Sequence, residues 1–248
     1  MFKFKSIKSR TVAMLSIPLL ALLICGVYIG KQSYVEYVTY SYIRSIADVI
    51  LKGNELVHEF QKERGRSSGF LNSKGAQFSM ELKDQREATN HRLTEFLKSA
   101  AMFENKKGNV SFKNNITKTN DLISKLALVR NNIDSLNGIV DDYLTYYTAT
   151  IASLIKLNDE FSSVSNSNAE LYSLTYSYYN LLEYKERNGL IRAVFAGVFS
   201  KNKFTKPLLF KAVELRKEVK IYLEYFKTHA SKKNIDYFEN TVSGERRL

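Results

Sequence analysis

The sequence predicts an all-α chain: an amino-terminal transmembrane helix followed by an antiparallel helical bundle built from long helices. Three observations carry that prediction. There are only 2 prolines in 248 residues, and the 11 glycines are scattered rather than clustered, so little interrupts long helices. Beyond residue 40, apolar residues recur at steps of three and four over most of the chain. Ahead of them stands a run of twenty uncharged residues. With 44% hydrophobic residues, the part that follows can bury a sizeable core.

Lys3, Lys5, Lys8 and Arg10 form a basic flank over residues 1–10, which contains no acidic residue. "TVAMLSIPLLALLICGVYIG" (11–30) follows, and its length matches the ~20 residues that span a bilayer core. Basic flanks stay cytoplasmic, so residues 31–248 are expected outside the inner membrane, in the periplasmic or extracytoplasmic space. A cleaved signal peptide is the rival, with an apolar region of ~7–15 residues and small residues at its cleavage site. "VYIGKQSY" fits that poorly. Cys25 follows Ile24, where a lipoprotein site needs a small residue, and as the chain's single cysteine it cannot form an intramolecular disulfide.

The helices follow in order. Tyr42, Ile46, Val49, Gly53, Leu56 and Phe60 fall in steps of four and three, which predicts a helix from Lys31 to about Leu71, ended by "NSKGA" (72–76). A second runs from Phe78 to Phe103, before a loop at "ENKKGN" (104–109). A third carries Leu122, Leu126, Val129, Ile133 and Leu136, closed by "NG" at 137–138. The fourth, rich in tyrosine, spans Ile139 to about Leu157, and a long fifth spans Asp159 to Ser200. "KNKFTKP" (201–207) then turns the chain, Thr205 is placed to cap, and a sixth helix runs from Leu208 to Ala230. Short connections imply antiparallel neighbours.

Two helices carry an arginine where an apolar residue is due. In "QKERGRSSGFL" (61–71), Arg64 falls on the face of Leu56, Val57, Phe60 and Leu71, beside Gly65, Ser67, Ser68 and Gly69. On the fifth helix, Leu174, Tyr178, Leu181, Lys185, Asn188, Arg192, Phe195 and Phe199 form a stripe in which Arg192 sits near Gly189 and Ala193. Arg130 lies beside the Leu126–Val129–Ile133 stripe. "KERG" (62–65) and "KERNG" (185–189) also resemble each other. A guanidinium keeps its proton and is costly to bury alone, so an anion is expected to meet each one. That anion is either a ligand or a core carboxylate such as Glu63 or Glu186.

Charge and motifs exclude other classes. Four of the 37 basic residues stand in the amino-terminal flank, leaving 33 against 25 acidic residues in the remainder. These lysines are dispersed among acidic and aromatic residues, and no nucleic-acid motif accompanies them. His58, His91 and His229 lie far apart with no metal-ligand spacing, and no phosphate loop or nucleophile motif occurs. Asp141 and Asp142 point to different helix faces. The reading therefore expects no catalytic residue, no metal, no cofactor and no nucleic-acid partner.

"LVHEFQKERGRSSGFLNSKGAQF" (56–78), "LALVRNNID" (126–134), "YYTATIASLI" (146–155) and "YKERNGLIRAVFAGVF" (184–199), in that order, resemble the nitrate- and nitrite-sensing domain of bacterial receptors and transcription regulators. "VKIYLEYFKTHA" (219–230) fits its tail, and the resemblance covers most of residues 50–230. It implies an all-helical domain like those outside the membrane in chemoreceptors, histidine kinases and cyclases, working as a homodimer. It also implies that nitrate or nitrite is held by arginines from separate helices, here Arg64, Arg130 and Arg192. Gly65, Ser67, Ser68, Gly189 and Ala193 would support the site by leaving room. Nitrate is planar, singly charged and has only acceptor oxygens, which suits the planar donor fork of arginine. A membrane-anchored structural bundle with arginine ion pairs is the alternative. The chain ends at "FENTVSGERRL" without a second apolar run, so the expectation is either the sensory fragment of a longer receptor or a protein that stops outside.

Overall fold

The computed structural model describes residues 7–104, 110–137, 139–164, 169–201 and 204–245. Regular structure among the described residues is helical throughout: α1 (Ile7–Asn72), α2 (Ser79–Glu104), α3 (Val110–Ile123), α4 (Leu126–Asp134), α5 (Val140–Val164), α6 (Ala169–Lys201), α7 (Lys206–His229) and α8 (Lys232–Glu245). The expected loop at 105–109, Gly138 of the "NG" turn, residues 202–203 of the later turn and residues 1–6 of the basic flank lie outside the described residues. The chain divides into two compact units, Met1–Ser45 and Ile46–Leu248.

In the first unit the described residues are all helical. Leu15, Leu19, Leu23 and Val27 point outward, as does Cys25. This stretch is long and apolar enough to cross a membrane, and a signal sequence near an amino terminus meets the same description.

The second unit is organised around the apolar stripe of α1. Ile46, Val49, Leu56 and Phe60 are fully buried. Burial of each such side chain contributes about 1.5–3 kcal/mol. A Cβ at Gly53 would stand 3.5 Å from the Phe96 ring of α2 and 3.8 Å from Leu154 of α5, ordinary contact distances, which marks the point where three helices meet. Hydrogen bonds give the directions: Ser99 to Asp48 and Arg92 to Glu55 set α2 antiparallel to α1, while Asn54 with Asn158 and Arg64 with Thr148 set α5 antiparallel to it. Phe103 meets Phe112 edge-on at 5.0 Å, joining α2 to α3.

Several boundaries differ from expectation. The third expected helix is two, because backbone turns at Ser124 and Lys125 separate α3 from α4. The α5 helix continues past Leu157 to Val164, and α8 was not expected. Thr205 does hold the N-cap position of α7, with extended backbone, but its side chain makes no capping bond.

The largest difference concerns α6. Its Leu174–Tyr178–Arg192–Phe195 stripe is solvent-facing, with Leu174 53% and Phe195 39% exposed. The buried positions are Ser177, Asn180, Leu182, Glu183 and Glu186. Apolar and aromatic residues surround this helix on all sides, so periodicity alone does not single out the inward face. Glu186 goes inward to meet Arg64 of α1, while Ser177 and Asn180 bond backbone carbonyls of α6 itself and Glu183 pairs with Arg187 one turn on. α7 returns antiparallel along α6, with Arg187 against Glu218 and Tyr222 and, toward the opposite end, Tyr176 against Tyr225.

Candidate anion-binding site

Arg64 is buried, and so is Glu186 of α6, which meets it. Arg64 Nη1 donates to Glu186 Oε1 at 2.5 Å and to Thr148 Oγ1 at 3.1 Å, while Nη2 donates to Glu186 Oε2 at 3.1 Å. Gln61 Nε2 adds a bond to Oε2 at 2.9 Å. The fork-to-fork geometry fixes the guanidinium plane. Nε–H and one Nη2 proton are not taken up by these partners. Gly189 stands close enough to Arg64 that a Cβ there would lie 3.3 Å from Nη2.

A cavity of about 250 Å³ opens against this pair. It is lined by Arg64, Gly65, Ser68 and Gln61 of α1, by Leu144 of α5, and by Lys185, Gly189, Arg192, Ala193 and Ala196 of α6. The small residues make the space. Gly65 contributes most plainly, since a Cβ on it would meet nothing within 4 Å. Arg192 and Lys185 are exposed and make no ion pair among the described residues. Glu186 neutralises Arg64, which leaves the cavity with two uncompensated cations.

A second buried cluster lies on another face of α1. Arg130 donates from Nε to Glu63 Oε1 at 2.7 Å and from Nη2 to Oε2 at 2.8 Å, and its Nη1 reaches Asn90 Oδ1 at 2.6 Å. Tyr147 donates its hydroxyl to Glu63 Oε1 at 2.8 Å. Burial pushes the Tyr147 phenol up, and the Glu63 charge adds to it. Burial alone would lower Arg130, but the Glu63 carboxylate outweighs it and the guanidinium is held more firmly charged. Ser67 belongs here: it is buried and faces Tyr147.

The family model described as nitrate and nitrite sensing, NIT, matches residues 55–247, most of the chain. The chain belongs to the NIT family. Its structure is also similar to a solved one, that of the NasR transcription antiterminator, with a TM-score of 0.79 at 16% identity over 86% of this chain. At that identity the likeness shows the fold alone. The match spans 57% of the NasR chain. No curated protein matches the sequence.

Of the residues expected at a NIT site, the structure brings Arg64, Arg192, Gly65, Ser68, Gly189 and Ala193 to one cavity. It sets Arg130 and Ser67 apart from it, in the Glu63 cluster. Sequence reasoning offered Glu63 and Glu186 as partners for Arg64 and Arg192; the pairs formed are Arg64–Glu186 and Arg130–Glu63. Gln61, Thr148 and Lys185 were not anticipated as parts of the site. Lys185 alone left a signal, as a charge on the stripe that carries Arg192.

Proposed function

We propose that this NIT-family chain is the extracytoplasmic sensor region of a bacterial membrane receptor, anchored by its amino-terminal helix, and that it binds nitrate or nitrite in the 250 Å³ cavity. The observation that carries the reading is the meeting of Arg64 and Arg192, from α1 and α6, on one small cavity walled by glycine, serine and alanine. A planar monoanion fits that space, and the remaining protons of Arg64 together with the unpaired fork of Arg192 match its oxygens. An anion held there couples α1 to α6, and a difference in its affinity for two offsets of these helices shifts their populations. In a homodimer that shift is the signal passed toward the membrane.

A second reading has an observation of its own. Arg64 already has a carboxylate, Glu186, which is what a purely structural bundle would need. Calorimetry on the detergent-solubilised chain against nitrate, nitrite, chloride and sulfate separates the two. Heat and thermal stabilisation with nitrate or nitrite support the sensor. Silence toward all four at millimolar concentration leaves the structural bundle.

A further inference from the structure

We propose that Lys185 is a third direct ligand of the anion in this cavity, supplying with Arg192 the positive charge that Glu186 cancels on Arg64. This rests on the nitrate or nitrite reading above and adds a residue to it.

Lys185, Gly189 and Arg192 follow one another along a single face of α6, and all three line the cavity. Lys185 and Arg192 also line the larger groove of about 820 Å³ that continues beside it toward α8. These two cations therefore stand where the small cavity meets the groove, on the same cavity as Arg64. An anion drawn in between them loses little of their charge to carboxylates, since neither makes an ion pair among the described residues.

The lysine is also aimed. Its Nζ lies 2.8 Å from His58 Nδ1. An ammonium only donates, so Nδ1 accepts and the His58 proton sits on Nε2. Burial lowers the His58 pKa, and Lys185 and Lys62 lower it further, so the ring stays neutral and serves as an acceptor. That bond uses one of three ammonium protons and leaves two. The bond ties the ammonium to α1 at His58, one helical turn before Gln61 of the cavity lining and not itself part of that lining.

The electrostatics agree with a ligand's absence being felt. Although the residue as a whole is exposed, loss of water around the Lys185 ammonium lowers its pKa, Lys62 and Arg192 lower it further, and Glu186 and Glu59 offset only part of this. The groove side contributes Tyr184 and Tyr237, the cavity side Arg64, and α5 contributes Leu144. A bound monoanion reverses the balance and favours the protonated amine. By linkage, affinity is full while Lys185 is protonated and falls as pH rises through its folded pKa, which lies below the ordinary 10.5.

Sodium nitrate is titrated into the whole solubilised chain, wild type and Lys185→Met, at neutral pH and in steps up to 10.5. The expected result is a loss of roughly tenfold or more in affinity for K185M at neutral pH, the worth of one charged hydrogen bond. Its melting temperature without ligand should be unchanged or raised, because repulsion from Lys62 and Arg192 is relieved. Wild-type affinity should fall with pH, K185M should be flatter over the same range, and Lys185→Arg should keep binding without that fall. K185M binding as tightly as wild type with the same pH slope overturns the proposal and leaves the nitrate reading standing. Should K185M fold poorly, a wild-type affinity that stays level up to 10.5 overturns it equally. Wild-type protein that binds no nitrate or nitrite at all overturns the reading and this inference together.

Discussion

Arg64 and Glu186, 122 positions apart in sequence, face each other through two hydrogen bonds at the wall of the cavity. The pair makes Arg64 both a support and a donor. Arg64→Ala strands a buried carboxylate, so it should lower stability by about 3–5 kcal/mol even without ligand, as breaking a buried ion pair does. Chemical denaturation in nitrate-free buffer measures it. Glu186→Gln should also destabilise the free protein, yet enlarge the thermal shift produced by nitrate, because a competing negative charge is removed from the guanidinium. A thermal shift that shrinks in E186Q would contradict this account of the pair.

Gly65 supplies cavity space and little else, since a Cβ there meets no neighbour within 4 Å. Gly65→Leu should fill the cavity, keep the helical circular dichroism spectrum and abolish nitrate-induced stabilisation. Better helix propensity, worth about 0.5–1 kcal/mol over glycine, works in favour of the fold. Unchanged nitrate binding in this variant would show that the ligand sits elsewhere.

Arg130 serves Glu63 and not the cavity. Arg130→Met removes two charged hydrogen bonds from Glu63 and leaves it with the Tyr147 hydroxyl and, at 3.9 Å, Arg86, so it should cost about 1.5–3 kcal/mol. Under conditions where the variant is folded, its nitrate affinity should stay within about twofold of wild type, below ~0.5 kcal/mol. Titration at low temperature tests the second half, and a tenfold loss would return Arg130 to the site.

Glu183 carries a pH dependence of opposite sign to an ordinary surface carboxylate. Burial pushes its carboxyl up, and Arg187, at 3.1 Å, pulls it back only in part. Its folded pKa lies above the ordinary 4.5, so the full cost in stability is present above the folded value, fades as pH falls from there toward 4.5 and is gone below it. Glu183→Gln should therefore be more stable than wild type at neutral pH and lose that advantage in acid. Thermal melts across that range give the answer, and a variant less stable at neutral pH would show that the Arg187 contact dominates.

The long helices were legible because apolar spacing and the scarcity of proline speak directly to backbone conformation. The α1 stripe was legible too: Ile46, Val49, Leu56 and Phe60 go inside as their period requires. The face of α6 was not, because apolar residues on all sides erase the period and the buried Glu186 is held inward by Arg64 of α1, while Glu183 pairs with Arg187 on α6 itself. The same limit applies to the site. Spacing could mark Arg64 and Arg192 as misplaced charges, but which carboxylate meets which arginine depends on helix registers that sequence does not state. The break at Ser124–Lys125 escaped notice because neither residue disrupts a helix by propensity.

The most direct test is a calorimetric titration of nitrate into the whole 248-residue chain and into its Arg192→Ala variant. Arg192 is exposed and unpaired among the described residues, so its loss should leave the fold intact and act on the ligand alone. The account predicts saturable binding of one nitrate per cavity by wild type and a loss of at least roughly tenfold in the variant, one charged hydrogen bond or more. Equal binding by the two proteins, or none by wild type, would contradict it.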